Sequence, residues 1–424
     1  MRHVISFTGD PALSDPAFWA RRWRGRFTRL DPNRLNPILA RRSAALWNPL
    51  ELGPVEAETL RAWIEDARVP DAWWAALDGR PAPEAERAAL LAERNLEGVR
   101  PYAGDRPALA LKRTNLRALP TDRRGHKLVD EEGFDRLQHT ALEPLTPLAL
   151  LHPSRGGGWW FVQAPDYRGW VRASDVALCP DPATMRNLLE FDGPVLLDPR
   201  AELVTPQGFT TIQTGTRLPG LRGAMLPFPA RDPEGRVVWS KARLTGTPRL
   251  ARAYPELEPH ALFEVALAAL GEPYGWGDLT PEGPGRDCSR FVQDVFKAFG
   301  FRLPRDASRQ CAATQPVLRF EEGEPHEARA ARLARLASGP ALLCMPGHVM
   351  LYLGEVEGCH HAAHAFWAYK RLQGGGAVTV PVRRVVVTSL DLGRGTPEGS
   401  LLERLTSVNL LDGPDEPVEG GVSG

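Results

Sequence analysis

Between Lys112 and Leu250 the apolar residues come in short β-like runs broken by Gly, Pro and Asp. A chain interrupted like this cannot build long helices, and turns about every 8–12 residues fit small β-barrels. Two such stretches follow each other. The first, 111–180, contains the runs 114–117 and 133–138 and ends in Trp160-Phe161-Val162 and Gly169-Trp170-Val171, which read as adjacent strands. The second, 185–250, has Val195-Leu196-Leu197, Phe209-Thr210-Thr211-Ile212 and Val237-Val238-Trp239 around Gly and Pro turns, and no residue in it suggests chemistry.

The texture differs on either side. Residues 1–110 are rich in Ala, Leu, Arg and Glu, and 84–96 repeats at helical period, so this segment is expected to be mostly helical. Trp19, Trp23, Trp47, Trp63, Trp73 and Trp74 fall in it, either as core or as an aromatic surface for sugar stacking. From 256 to 395 a helix at 260–270 comes first and strands follow, an α+β texture. Residues 396–424 read as a short helix at 400–405 and a disordered tail.

Composition removes several function classes. With 424 residues and a 43% hydrophobic fraction the chain can hold several cores. Its 52 basic and 52 acidic residues leave no global field for nucleic acid or an anionic membrane surface. No stretch approaches ~18 apolar residues, and the first ten residues have no apolar run of signal-peptide length, so the chain reads as soluble, with its compartment open. Five cysteines make a disulfide scaffold implausible.

One cysteine stands out. Cys288 follows Gly283-Pro284-Gly285-Arg286-Asp287 and leads into Phe291, Val292, Val295, Phe296 and Phe299 at helical spacing, with Gly300 as the stop. This places the thiol on the first turn of a helix. There the dipole and free N–H groups favour the thiolate, although a small residue at a helix start can also be ordinary packing.

Downstream, 348–353 alternates as a strand, 354–358 forms a turn and 359–366 returns. Centred on Val356, this hairpin sets His348 opposite His364, Met350 opposite Ala362 and Tyr352 opposite His360, with His361 on the other face. A cysteine at a helix start, a histidine on a neighbouring strand and a polar group to hold the imidazole make a papain-like cysteine site. The alternative is a metal centre, because Cys344, His348, Cys359, His360, His361 and His364 crowd together, without a C-x₂-C or H-E-x-x-H spacing.

Several motifs in order now carry a resemblance. Gly271-Glu272-Pro273-Tyr274-Gly275-Trp276-Gly277, Asp287-Cys288-Ser289, Leu303-Pro304-Arg305 with Gln310, and Gly347-His348-Val349 resemble the successive motifs of NlpC-type cell-wall cysteine peptidases. The two preceding stretches resemble the SH3-like pair of the γ-D-glutamyl-diamino acid peptidase subgroup. The resemblance implies a multidomain α+β chain: a papain-like catalytic domain over 256–395, preceded by two small SH3-like β-barrels and a helical N-terminal segment. It implies Cys288 as nucleophile, His348 as general base and His364 as the orienting residue. Asp287 and Ser289 would bind the free amine of the peptide, and Tyr274 would sit near the oxyanion.

The implied reaction is hydrolysis of the γ-D-glutamyl to diamino-acid bond in peptidoglycan stem peptides or muropeptides, with a free N-terminal L-Ala and no cofactor or metal. Two departures from the family pattern lie near the nucleophile, Arg290 and Asp278, each where a glycine is usual. A wall-binding protein with an inactive catalytic-like domain is the alternative from another class.

Overall fold

The computed structural model describes residues 11–23, 29–43, 48–66, 84–126, 134–190, 192–280, 283–336 and 340–412. Trp47, Trp73, Trp74, Gly133 and the stretch 413–424 lie outside the described residues.

The first β unit is a seven-stranded sheet in the order Gln138–Leu142, Thr114–Arg117, Arg168–Arg172, Trp159–Gln163, Pro147–Pro153, Pro107–Ala110, Val176–Leu178. Phe161 lies opposite Trp170 in the antiparallel pair at its centre. Both faces of its middle are covered, which is why Pro147–Pro153 and Trp159–Gln163 read as nearly continuous apolar runs. Leu148, Leu150 and Val162 pack among the strands, while Ala149, Leu151 and Phe161 pack with Leu60 and Ile64 of the helix Ala57–Glu65. The run 133–138 is corrected: the strand begins only at Gln138, and Arg136 and Leu137 form a turn.

The second unit has a four-stranded sheet, Gly208–Gln213, Arg200–Thr205, Val237–Leu244, Met225–Arg231, and the pair Leu250–Ala251 with Val195–Leu196. Leu203, Ile212, Leu226 and Phe228 form its core.

The helices of the N-terminal region do not share one core. Trp19, Leu35 and Leu39, from the helices Pro16–Arg22 and Pro32–Ser43, join the core of the last unit, whereas Leu60 and Ile64 join the first sheet. Trp19 is fully buried, and its indole N–H donates to the Leu13 carbonyl at 3.0 Å.

The last unit sets the helices Pro259–Ala268 and Cys288–Lys297 against a six-stranded sheet. Its order is Gln315–Arg319, Ser407–Leu410, Ala341–Met345, His348–Val356, Cys359–Gln373, Gly376–Ser389. Strand alternation divides its two faces. Val349, Leu351, Ala363 and Ala365 pack with Phe291, Val292 and Val295 of the helix beneath, and Met350, Tyr352, Ala362 and Phe366 pack with Leu390, Leu402 and Val408.

Two expectations about this unit are corrected. Residues 401–404 are turns, with Ser400 and Glu403 exchanging side chain to backbone hydrogen bonds as a capping box without a helix to continue it. The strand Ser407–Leu410 then inserts between two others, so the sheet extends past 395.

The hairpin turn also differs. Its strands run on to Val356 and from Cys359, and Glu357 and Gly358 at φ 51° and 80° form a two-residue turn of the primed type. Gly354, expected in the turn, lies in the strand at φ 134°, beside an irregularity between Tyr352 and Gly354.

Candidate active site

The helix Cys288–Lys297 starts where its cap dictates. Asp287 has extended backbone angles and accepts a hydrogen bond from the Arg290 N–H at 2.9 Å. Cys288 is therefore the first helical residue, 7% exposed. Gly300 at φ 84° lies beyond the end, where a side chain would be strained.

The two histidines meet although the expected register is shifted. Tyr352 pairs with Ala362 and Leu351 with Ala363, so continuing the ladder sets His364 opposite Met350 and His348 opposite Phe366. The shift is by two residues, which preserves the faces. His348 Nε2 lies 2.7 Å from His364 Nδ1, and His364 Nε2 lies 2.9 Å from Thr388 Oγ1 on the next strand. Tyr352 Oη reaches His360 at 2.9 Å, while His361 turns to the other face and packs on Trp19.

His348, His364 and Thr388 thus form a chain of hydrogen bonds whose donor and acceptor roles follow the histidine tautomers. Thr388 is buried and was invisible to sequence reasoning, because a threonine in a strand carries no signal of its own. Strand parity could have found it once the following strand had been paired.

Electrostatics correct the expected thiolate. Burial and the neighbouring Asp287 carboxylate push the Cys288 thiol up to about 12, against the Val349 and Ser289 N–H groups and the Arg305 charge, which pull it down. Burial, then Arg404, pushes His348 down to about 3. Burial therefore favours the uncharged form of both groups. Alkylation of Cys288 by iodoacetamide is expected to rise about tenfold per pH unit from pH 6 to 9, as the thiolate fraction does below its pKa. A plateau near neutrality would indicate a resting ion pair instead.

Tyr274 lies near Cys288. Burial, then the charges of Cys288 and Asp287, holds its phenol well above the usual range, so it stays a protonated donor.

Asp287 and Ser289, the residues expected to meet a substrate amine, are both buried and engaged within the protein. The Asp287 carboxylate accepts from Arg290 N, Gly277 N and Ser289 Oγ, and from both terminal nitrogens of Arg305 at 2.9 and 2.7 Å. Arg305 also donates to Ser289 Oγ. These donors fill the acceptor positions of the carboxylate.

The metal alternative loses its ligands. Cys344 is bonded to Cys311 in a disulfide. His360 turns to Tyr352 and the Ala330 carbonyl, and His361 to the Cys359 carbonyl. Among the described residues no group of His, Cys, Asp and Glu converges as a metal site.

Two stretches of the chain match known families. Residues 271–376 match the NlpC/P60 family, and residues 129–172 match the SH3 domain of SH3b1 type. The chain carries an NlpC/P60 domain. NlpC/P60 proteins are peptidoglycan hydrolases of the cysteine peptidase class. A γ-D-glutamyl-L-lysine dipeptidyl-peptidase of Bacillus subtilis is 48% identical over 56 residues, 13% of this chain and only 18% of that protein. The peptidoglycan endopeptidase RipB of Mycobacterium tuberculosis is 28% identical over 194 residues, 42% of this chain and 68% of that one. An NlpC/P60 endopeptidase structure from Photobacterium damselae subsp. piscicida shares the fold, at TM-score 0.71 and 17% identity, covering 94% of this chain and 96% of that one.

The NlpC/P60 domain is bolted to the first β unit through the two unusual residues. Arg290 reaches Glu143 at 2.8 Å, Asp278 at 3.3 Å and Asp294 at 2.8 Å. Asp278 also accepts from Thr140 at 2.9 Å and pairs with Arg305 at 2.8 Å. Burial alone would raise both acids, but Arg305, Arg290 and Arg113 hold Asp278 below the usual carboxylate range, and Arg113 and Arg290 do the same for Glu143. Breaking a buried pair of this kind costs about 3–5 kcal/mol, because the remaining charge stays buried. Thr140 and Glu143 thus support the groups that hold Asp287, the cap of the nucleophile helix.

Proposed function

We propose that this chain is a cysteine peptidase that hydrolyses the γ-D-glutamyl to diamino-acid amide bond of peptidoglycan stem peptides. The observation that carries the reading is the pairing of Cys288, at a helix start and against the Val349 N–H, with the strand-borne chain of His348, His364 and Thr388 inside an NlpC/P60 domain. The short match to the B. subtilis peptidase supports the choice of bond.

The chemistry follows from these groups. His348 Nδ1 takes the thiol proton as Sγ bonds to the amide carbonyl carbon, and the π electrons of the carbonyl move to its oxygen. N–H groups at the helix start and the Tyr274 hydroxyl would face that oxyanion. The imidazolium then gives its proton to the departing amine as the C–N bond breaks, leaving a thioester. Water attacks the thioester, His348 accepts its proton and returns it to sulfur, and the free acid leaves.

Product analysis by mass spectrometry on defined stem peptides tests the bond, with release of the diamino-acid fragment expected and its absence overturning the reading. The filled Asp287 carboxylate adds a second expectation. Acetylating the N-terminal L-Ala should change kcat/KM by less than about tenfold, since no vacant acceptor on Asp287 awaits the ammonium. A drop well beyond that would mean that the amine displaces Arg305.

A further inference from the structure

Three charged residues recur at intervals of four around Cys288: Arg286, Arg290 and Asp294. The arginines stand two residues before and two residues after the cysteine, and both side chains turn back to one carboxylate. Asp294 Oδ2 accepts from Arg286 Nε at 2.9 Å, and Asp294 Oδ1 accepts from Arg290 Nε at 2.8 Å. All three side chains are buried. Among the described residues, Asp294 is the acid that pairs with both arginines.

Each arginine points its remaining nitrogens at a different β unit. Arg290 reaches Glu143 and the Ala141 carbonyl of the first. Arg286 reaches the Pro199 carbonyl and Thr214 Oγ1 of the second, together with Glu272 of the NlpC/P60 domain at 2.8 Å. The two units also meet here, because Gln213 of the second donates its backbone N–H to Glu143 and its side chain to the Gly285 carbonyl, each at 3.2 Å. Asp294 thus sits where the docking contacts of both β units converge on the helix Cys288–Lys297.

A helix start is the part of a helix least able to hold itself. Its first N–H groups have no partner within the helix, so the first turn keeps its place through caps and side-chain anchors. A buried carboxylate between two guanidinium groups also offsets their mutual repulsion. Because Arg286 belongs to the loop before the Asp287 cap and Arg290 to the turn after it, their common anchor clamps the backbone on both sides of Cys288.

We propose that Asp294 is a positioning residue: by holding Arg286 and Arg290 it fixes the first turn of the helix, and with it the place of the Cys288 thiol relative to His348. This rests on the reading of Cys288 as nucleophile. Nucleophile and base come from separate elements, and a misplacement of about 1 Å between reacting groups can cost ~10²-fold in rate.

The test compares the parent with Asp294→Asn and Arg200→Gln. Asparagine keeps the shape but replaces one acceptor by an amide N–H₂, which faces a guanidinium instead of receiving from it. Arg200 pairs with Glu272 across the same interface without touching Asp294, so its variant reports on docking alone. Two readouts are taken: kcat and KM on a defined stem peptide, and iodoacetamide labelling of Cys288 and Cys179 resolved by peptide mapping. Cys179 is a free thiol buried with Leu109 of the first β unit, and it reports global opening. Asp294→Asn is expected to lower kcat by about tenfold or more with KM within about threefold, and to speed Cys288 labelling while Cys179 stays at the parent rate. Arg200→Gln should match the parent in every measure. An unchanged Asp294→Asn, an equal loss in Arg200→Gln, or parallel rises at Cys288 and Cys179 would each overturn the proposal. If Asp294→Asn yields no folded protein, Arg286→Lys, which keeps the charge but loses the planar fork, reads the same outcomes. Cleavage of no peptide by the parent would overturn the reaction proposed above, and the labelling of Cys288 against Cys179 would still decide the role of Asp294.

Discussion

Cys288→Ala is expected to bring hydrolysis down by on the order of 10⁴-fold or more, to background, with the fold intact. The first half follows from the chemistry: the other groups of the site can orient or polarise an amide, but none can form the thioester. Losing the nucleophile costs far more than losing an orienting group. The second half follows from packing. The thiol belongs to no disulfide, sits at the end of its helix, and leaves the Asp287 cap and the Phe291, Val292 and Val295 contacts in place. Product quantification on a stem peptide, with a thermal melt of both proteins, checks the two halves separately. Turnover near the parent rate would remove Cys288 from the mechanism, and a collapsed melt would mean that its role is partly structural.

What the sequence could show depended on whether the deciding interactions were local. The nucleophile helix was legible because its cap, its apolar stripe and its stop all lie within 287–300. The opposite face of the same helix was not. Ser289, Arg290, Gln293 and Asp294 are polar, yet all are buried, since the first β unit covers them and supplies Glu143 and Asp166 as partners. Partners about 130–150 residues away leave no local trace. For the same reason Arg290 and Asp278 looked like isolated oddities, although in space they answer each other.

The thiol shows where local reasoning misled. A helix N-terminus lowers a cysteine pKa at an exposed site, but here burial and Asp287 outweigh the dipole. The Ser407–Leu410 strand was missed for a related reason. Four residues carry too little periodicity to be read, and this strand is fixed by neighbours on both sides.

The hairpin separates what was legible in principle from what was found. Gly354 and Gly358 both signal a turn, and choosing the loop between them displaced the pairing by two residues. Parity survived that displacement, so the side-chain faces were right although the opposing pairs were wrong. His364→Ala is accordingly expected to lower turnover by on the order of 10²-fold, whereas His361→Ala should cost little. His364 Nδ1 shares a hydrogen bond with His348 Nε2 and its other nitrogen is held by Thr388, so its removal frees the His348 imidazole to rotate. His361 points to the opposite face, against Trp19, where it can affect only packing. Because His364 acts through His348, its loss should fall on kcat, leave Cys288 as the residue labelled by alkylation, and alter the pH profile of turnover. A nearly normal His364→Ala beside an inactive His361→Ala would overturn the relay.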